Sequence, residues 1–188
     1  MAKANLAIFN YQKVAKLELE TWRAYYSHRY VTLFLLLFRD LRNQFHFNWP
    51  VSLKAAYYSG IAAADYHIKK GQENYSRIEN NLINFYKVIS DNSTKPFDYT
   101  RAAELELEWW NIHRYPENYK KTLELSLSES IAIIFNGKSK DFREYAHLRS
   151  KAMLLRDKTA NKKIEPDWSQ IESLLLDAWK LAHEAIIR

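Results

Sequence analysis

Apolar and polar positions along the chain recur every three or four residues, and no stretch alternates strictly by two; the period is helical throughout. Pro50, Gly71, Pro96, Pro116, Gly137 and Pro166 cut this pattern into helix-sized pieces, while Gly60 lies inside one of them, in the small-residue run SLKAAYYSGIAAADYHI. Eight helices are predicted, over roughly residues 4–28, 30–46, 50–70, 72–90, 98–114, 117–136, 140–158 and 166–187. Asp98 is the expected N-cap of the fifth, Asn136-Gly137 the stop of the sixth, and Pro166 a first-turn residue of the eighth. Two polar connectors stand out, SDNSTKP from Ser90 to Pro96 and the shorter Lys158 to Lys163. The segment YVTLFLLLF, Tyr30 to Phe38, is apolar all round and is expected at the centre of the fold. Short connections favour antiparallel neighbours. The expected fold is therefore one all-α domain over residues 1–188, a helical bundle of about seven to eight helices.

Two stretches nearly repeat. Leu17 to Tyr30 reads LELETWRAYYSHRY, and Leu105 to Tyr115 reads LELEWWNIHRY. At about 100° per residue, positions three, four and seven apart share a helix face. Around Glu106 that face carries Tyr99, Ala102, Ala103, Trp109, Trp110 and His113, with Arg101, Glu104, Glu108 and Asn111 opposite. Around Glu18 it carries Tyr11, Val14, Ala15, Thr21, Trp22 and Tyr25, with Lys13, Lys16, Glu20 and Arg23 opposite. Each stretch thus sets one carboxylate in the middle of an apolar stripe, four residues before a tryptophan. Glu20 and Glu108 are expected at the surface. An old duplication and two separate answers to one packing problem are both open as the origin.

A buried carboxylate must pair, protonate or bind a cation. In FREYAHLRSKAMLLRD, Arg149 is centred on Phe142, Tyr145, Ala146, Ala152, Met153 and Arg156, so two arginines sit on an apolar face. Arginine keeps its charge, and its planar fork matches a carboxylate. Glu18 and Glu106 are expected to converge on Arg149, with Arg156 nearby and with Tyr25, His113 and the indole N–H groups filling the remaining valences. The aromatic share, 15% with six Trp and thirteen Tyr, suits an interior that contains polar atoms.

Other chemistry finds little support. Without cysteine there is no thiolate nucleophile, disulfide or Cys-based metal site. Phosphate-cradling glycine loops and the nucleophile-elbow motif are absent from the sequence. A dimetal carboxylate bundle would need two inward Glu-x-x-His pairs. The chain has one, Glu144 and His147, on the face opposite Arg149, so no metal and no cofactor are expected. His113 precedes a helix end, where a cation suits the dipole; His28 is read the same way, and His183 is expected at the surface. Net charge is +6 and the isoelectric point near 9.3, but the basic pairs Lys69-Lys70, Lys120-Lys121 and Lys162-Lys163 are scattered, so nucleic-acid binding is not expected. The N-terminus lacks a signal-peptide pattern and the longest apolar run is too short for a bilayer, so a cytoplasmic protein with no membrane partner is expected.

Glu18-x-x-x-WRAYY, LELEWWNIHR at 105–114 and RSKAMLLRD at 149–157 resemble the motifs of an uncharacterised family of bacterial all-helical proteins. The resemblance implies a bacterial origin and a shared helical fold, and no activity. The leading functional expectation is a non-catalytic binding or interaction module built around a buried Glu–Arg–aromatic cluster of Glu18, Trp22, Tyr25, Glu106, Trp110, His113, Arg149 and Arg156. The alternative is a small anionic-ligand receptor, or an enzyme, using Glu18, Glu106, Arg149 and His113 as its pocket. Glu106 and His113 are the acid–base candidates for the enzyme. A homo-oligomer is a further expectation, prompted by outward apolar residues such as Leu176.

Overall fold

The computed structural model describes residues 3–161 and 164–188, with Ala160 and Asn161 described by backbone alone. Lys162 and Lys163 lie outside the described residues. The helices are α1 (Tyr11–Tyr26), α2 (Tyr30–Gln44), α3 (Trp49–Tyr66), α4 (Tyr75–Asp91), α5 (Tyr99–Arg114), α6 (Leu123–Ile134), α7 (Arg143–Asn161) and α8 (Trp168–Ile187). The fold is an all-α bundle, as the periodicity predicts.

Polar side chains start the helices. Asn10, Asn48, Asn74, Asp98, Thr122 and Asp167 each accept a hydrogen bond from a backbone N–H in the first turn of α1, α3, α4, α5, α6 and α8. Such caps are worth about 1 kcal/mol each. Pro166 therefore stands just outside α8, where the expectation had it in the first turn. The ends are less conventional. His28, His46 and Asn136 take the left-handed conformation, at φ of 55°, 54° and 53°, where glycine is usual. After α1 the Arg29 N–H reaches Ala24 O and the His28 N–H reaches Tyr25 O, which satisfies the last carbonyls. After α6 the Gly137 N–H does the same for Ala132 O. Gly137 is required by crowding: a Cβ there would stand 2.7 Å from Phe142 Cε2.

Each helix packs on its neighbours in the chain, and α8 packs back on α1. Among the described residues, eight helices therefore close into a ring and none occupies the middle, which corrects the central position expected for α2. Its Leu33, Leu36, Leu41 and Gln44 turn inward, while Val31 is 78% exposed and Leu35 half exposed. The core is split accordingly. One cluster, with Val14, Leu19, Leu127, Phe142, Leu175 and Trp179, lies on the α1, α6, α7, α8 side. The other, with Ala55, Ile78, Leu82, Tyr86, Ile89 and Ala102, lies on the α2 to α5 side. Among the described residues, no helix is long and apolar enough to cross a membrane.

The two ends of the ring differ. Residues before Tyr11 were expected to extend α1, but they form a strap instead. Ala4 exchanges backbone hydrogen bonds of 2.8 Å with Asn92 and Thr94 in the α4–α5 connection. His46 Nε2 meets Ile8 O at 2.9 Å, and Phe9 packs against Phe135, Trp179 and His183. The strap thus lies over the end that carries the α2–α3 and α4–α5 connections, with Leu6 and Phe9 buried beneath it. His183, expected at the surface, is half-buried against Phe9 and Tyr11. Residues 117–122, expected to be helical, hold a short 3-10 turn (Pro116–Asn118) and extended chain before α6. In the connector expected from Lys158, α7 continues to Asn161.

Candidate functional site

The ring encloses a cavity of about 340 Å³ to which all eight helices contribute. Trp22, Tyr25 and Tyr26 come from α1, Asp40 from α2, Tyr66 from α3 and Tyr86 from α4. Across from them stand Glu106, Trp109, Trp110 and His113 from α5, Ser130 from α6, Tyr145 and Arg149 from α7, and Trp179 from α8. Aromatic residues are prominent on this wall, among them four of the six tryptophans.

The two sequence-predicted carboxylates are both in the cavity wall, but they are satisfied differently. Glu18 Oε1 accepts from Arg149 Nε and Nη2, each at 2.8 Å, and its Oε2 accepts from Trp179 Nε1 at 2.6 Å. Two guanidinium N–H groups thus converge on one carboxylate oxygen, and the indole N–H takes the other, so every bond to Glu18 is charge-assisted. The side chains keep only 15% (Arg149) and 10% (Glu18) of their accessible surface. Burial works against the charge on Arg149, but Glu18 beside it holds the guanidinium firmly protonated.

Glu106 does not meet Arg149. Its Oε1 accepts from Trp110 Nε1 at 2.9 Å, and its Oε2 accepts from Trp109 Nε1 at 2.8 Å and Tyr86 Oη at 2.9 Å. Ser130 Oγ adds a longer contact of 3.4 Å. The expected convergence of both glutamates on Arg149 is therefore corrected: one turn of α5 supplies Glu106 with two indole donors, and no guanidinium is needed. Arg149 instead lies over the Trp109 ring, 4.9 Å from its centroid. The twin motifs consequently do different work. Trp110 serves Glu106, whereas Trp22 lines the cavity and the indole on Glu18 comes from Trp179.

His113 and Arg156 form a separate group. His113 Nε2 meets Asp157 Oδ2 at 2.7 Å, Arg156 Nη1 donates to Asp157 Oδ1 at 3.1 Å, and the Arg156 guanidinium covers the Tyr26 ring at 3.1 Å. Burial opposes ionisation of Asp157, but the hydrogen bonds from His113 and Arg156 outweigh it and hold this carboxyl below its usual range. Nearby, His67 Nε2 lies 3.1 Å from His28 Nδ1, and burial with that neighbour depresses His67. Burial also pushes Tyr25 up to about 12, so it stays a neutral phenol. Glu144 and His147 are exposed, as expected, and His147 pairs with Glu124 at 2.9 Å. Glu108, expected in solvent, is half-buried and takes Lys121 and Ser126. Among the described residues, no group of three or more His, Asp or Glu is placed to hold a metal ion.

Asp40 is the cavity residue that the sequence reading missed. It ends the apolar run of α2 and passes for its polar boundary. On the wheel, however, it follows Leu33, Leu36 and Leu37 at helical spacing, on the buried face. Its Oδ1 is buried with no hydrogen-bond partner among the described residues. Burial, and secondarily the Glu18 carboxylate, push Asp40 up to about 8.

Comparison of the chain with known protein families, with curated proteins and with solved structures gave no match. The cavity has to be read from its own chemistry.

Glu18→Gln is expected to cost about 3–5 kcal/mol because it strips a buried arginine of its counter-charge. Glu106→Gln is expected to cost about 1–3 kcal/mol, since charge-assisted bonds weaken but no cation is orphaned. Urea unfolding measures both, and a larger loss at Glu106 would overturn this assignment. For Asp40, the unfolded carboxyl titrates near its ordinary 3.8 and the folded one near 8. Between those values the folded chain holds a proton that the unfolded chain has lost, so Asp40 makes stability fall as pH rises. Asp40→Asn should therefore be more stable than the parent at pH 8.5, by about 2–4 kcal/mol, and should lose that advantage below about pH 4. Parallel stability curves for the two proteins from pH 4 to 8.5 would contradict it.

Proposed function

We propose that the protein is a non-catalytic small-molecule-binding module and that the cavity inside its ring of helices is the binding site. The observation that carries this reading is the cavity itself, about 340 Å³ with an aromatic wall and a few inward polar groups. Ligand pockets typically run from about 300 to 1,000 Å³ and combine apolar walls with a small number of convergent polar atoms. A salt-bridge network that served only to dock helices would be expected to pack shut around its charges.

The absence of catalysis is argued from how the polar groups are engaged. Glu18 and Arg149 hold each other, Glu106 is bonded by two indoles and a phenol, and His113 is held by Asp157. The enzyme reading rests on Glu106 and His113, and neither is free to reach a substrate; Asp40 is unpartnered, but its acidic neighbour Glu18 is held by Arg149, so no second free acid–base group accompanies it. A small anionic ligand, suggested by two inward arginines, has weaker support for the same reason. Arg149 is taken by Glu18; Arg156 bonds Asp157 through Nη1 and covers the Tyr26 face, and although its Nε is buried without a partner among the described residues, it does not line the cavity.

A thermal-shift screen of small aromatic molecules tests the reading. Ligands that raise the melting temperature are expected, and Ala63→Phe, which puts a ring into the cavity from α3, should weaken their binding at least about tenfold while leaving the helical circular dichroism intact. Unchanged affinity in a folded Ala63→Phe protein would place the ligand elsewhere and refute the proposal.

A further inference from the structure

The cavity wall holds more carboxyl groups than cations. Glu18, Asp40 and Glu106 stand against one guanidinium, Arg149. Arg149 neutralises Glu18, and Glu106 is held by neutral donors. Asp40 is left over. Its Oδ1 is buried and unpartnered among the described residues, and the charged neighbour that most perturbs it is another acid, Glu18. A buried polar atom without a partner is costly, and proteins rarely keep one without a use. Leucine or asparagine would fill the position on α2 at a lower cost.

Two further features point to what Asp40 would take. The wall of the cavity that Asp40 lines is aromatic, with Trp22, Tyr25, Phe85 and Trp110 among its rings. Aromatic faces carry negative potential and attract organic cations, most strongly where water is excluded. The indole N–H of Trp110 is turned to Glu106, and the guanidinium of Arg149 is turned to Glu18, so neither competes for Asp40. An anion at this place would meet an acid with no free cation to offset it. A cation would meet a carboxylate and ring faces together.

Resting on the reading of the cavity as a small-molecule site, we propose that its ligand is a small aryl-alkyl ammonium ion whose charged nitrogen sits on the Asp40 carboxylate and whose apolar part lies against the aromatic wall. Asp40 then acts as the specificity-determining group. The charge of the ligand completes what the protein leaves unpaired, and Glu18–Arg149 keeps the second acid of that region from competing for it.

The test uses the full chain and three probes of one shape: phenethylamine, its neutral counterpart 2-phenylethanol, and its acidic counterpart phenylacetate. Dissociation constants are measured by titration calorimetry at pH 8.5, where the Asp40 carboxyl is ionised and the amine keeps its proton, for the parent protein and for Asp40→Asn. The amine is expected to bind the parent at least about tenfold more tightly than either counterpart, and Asp40→Asn should erase that preference while still binding the alcohol. If the alcohol or the acid binds as tightly as the amine, the cavity reading stands and the cation proposal fails. A preference that survives in Asp40→Asn would also overturn it, by taking the ammonium away from Asp40. Should none of the three bind the parent, the small-molecule reading fails first and the proposal falls with it. Selectivity of the parent alone decides the matter if the variant does not fold.

Discussion

The ion pair between Glu18 and Arg149 is the constraint on which the interior depends. It joins α1 to α7, two helices that are not neighbours in the ring, and Trp179 of α8 completes it from the helix between them. The three elements that close the ring are thus registered by one polar contact near its axis. Breaking such a pair strands a buried charge, whereas slipping one helix by a turn would strand both. The pair therefore specifies geometry as well as adding energy. Arg149 extends the effect to α5 by lying over Trp109, whose indole N–H faces Glu106.

A ring of eight helices has a wide centre, and what fills that centre decides what the molecule can do. Here the filling is incomplete. Tryptophans and tyrosines reach inward, but they use their polar tips on the carboxylates and leave a space between the two halves of the core. One end is covered by the strap before α1 and its phenylalanines. At the other end His28 meets His67, Arg156 donates to Asp157, and Arg114 donates to the Tyr66 and Ile68 carbonyls. The apolar residues exposed on α2 and α3, among them Val31, Leu35, Trp49, Leu53 and Tyr57, lie on the outside and take no part in the cavity.

Much of this was legible in the sequence. Helical period and proline punctuation placed the helices, and the wheel around Glu18 and Arg149 found a contact between residues far apart in the chain. The failures have physical causes. The ends of α1 and α2 use histidine in the left-handed conformation, so no glycine marks them. Residues before Tyr11 share the helical period because they are buried on one side, yet they pair with Asn92 and Thr94 as a strap. α2 reads as apolar all round, which conceals both its outer face and the inward Asp40. Glu106 was assigned to Arg149 because a wheel shows faces and not distances; the indoles three and four residues on in the same helix were closer. The ring itself was invisible, since closure between α1 and α8 is a tertiary fact that no local pattern carries.

The most direct measurement is a double-mutant cycle between positions 18 and 149, with Glu18→Gln, Arg149→Met and the pair compared by urea unfolding. A registering contact between two charges buried this far predicts a coupling of about 2 kcal/mol or more, with the double variant more stable than the sum of the single losses implies. Strictly additive losses, with a coupling within about 0.5 kcal/mol of zero, would contradict the account.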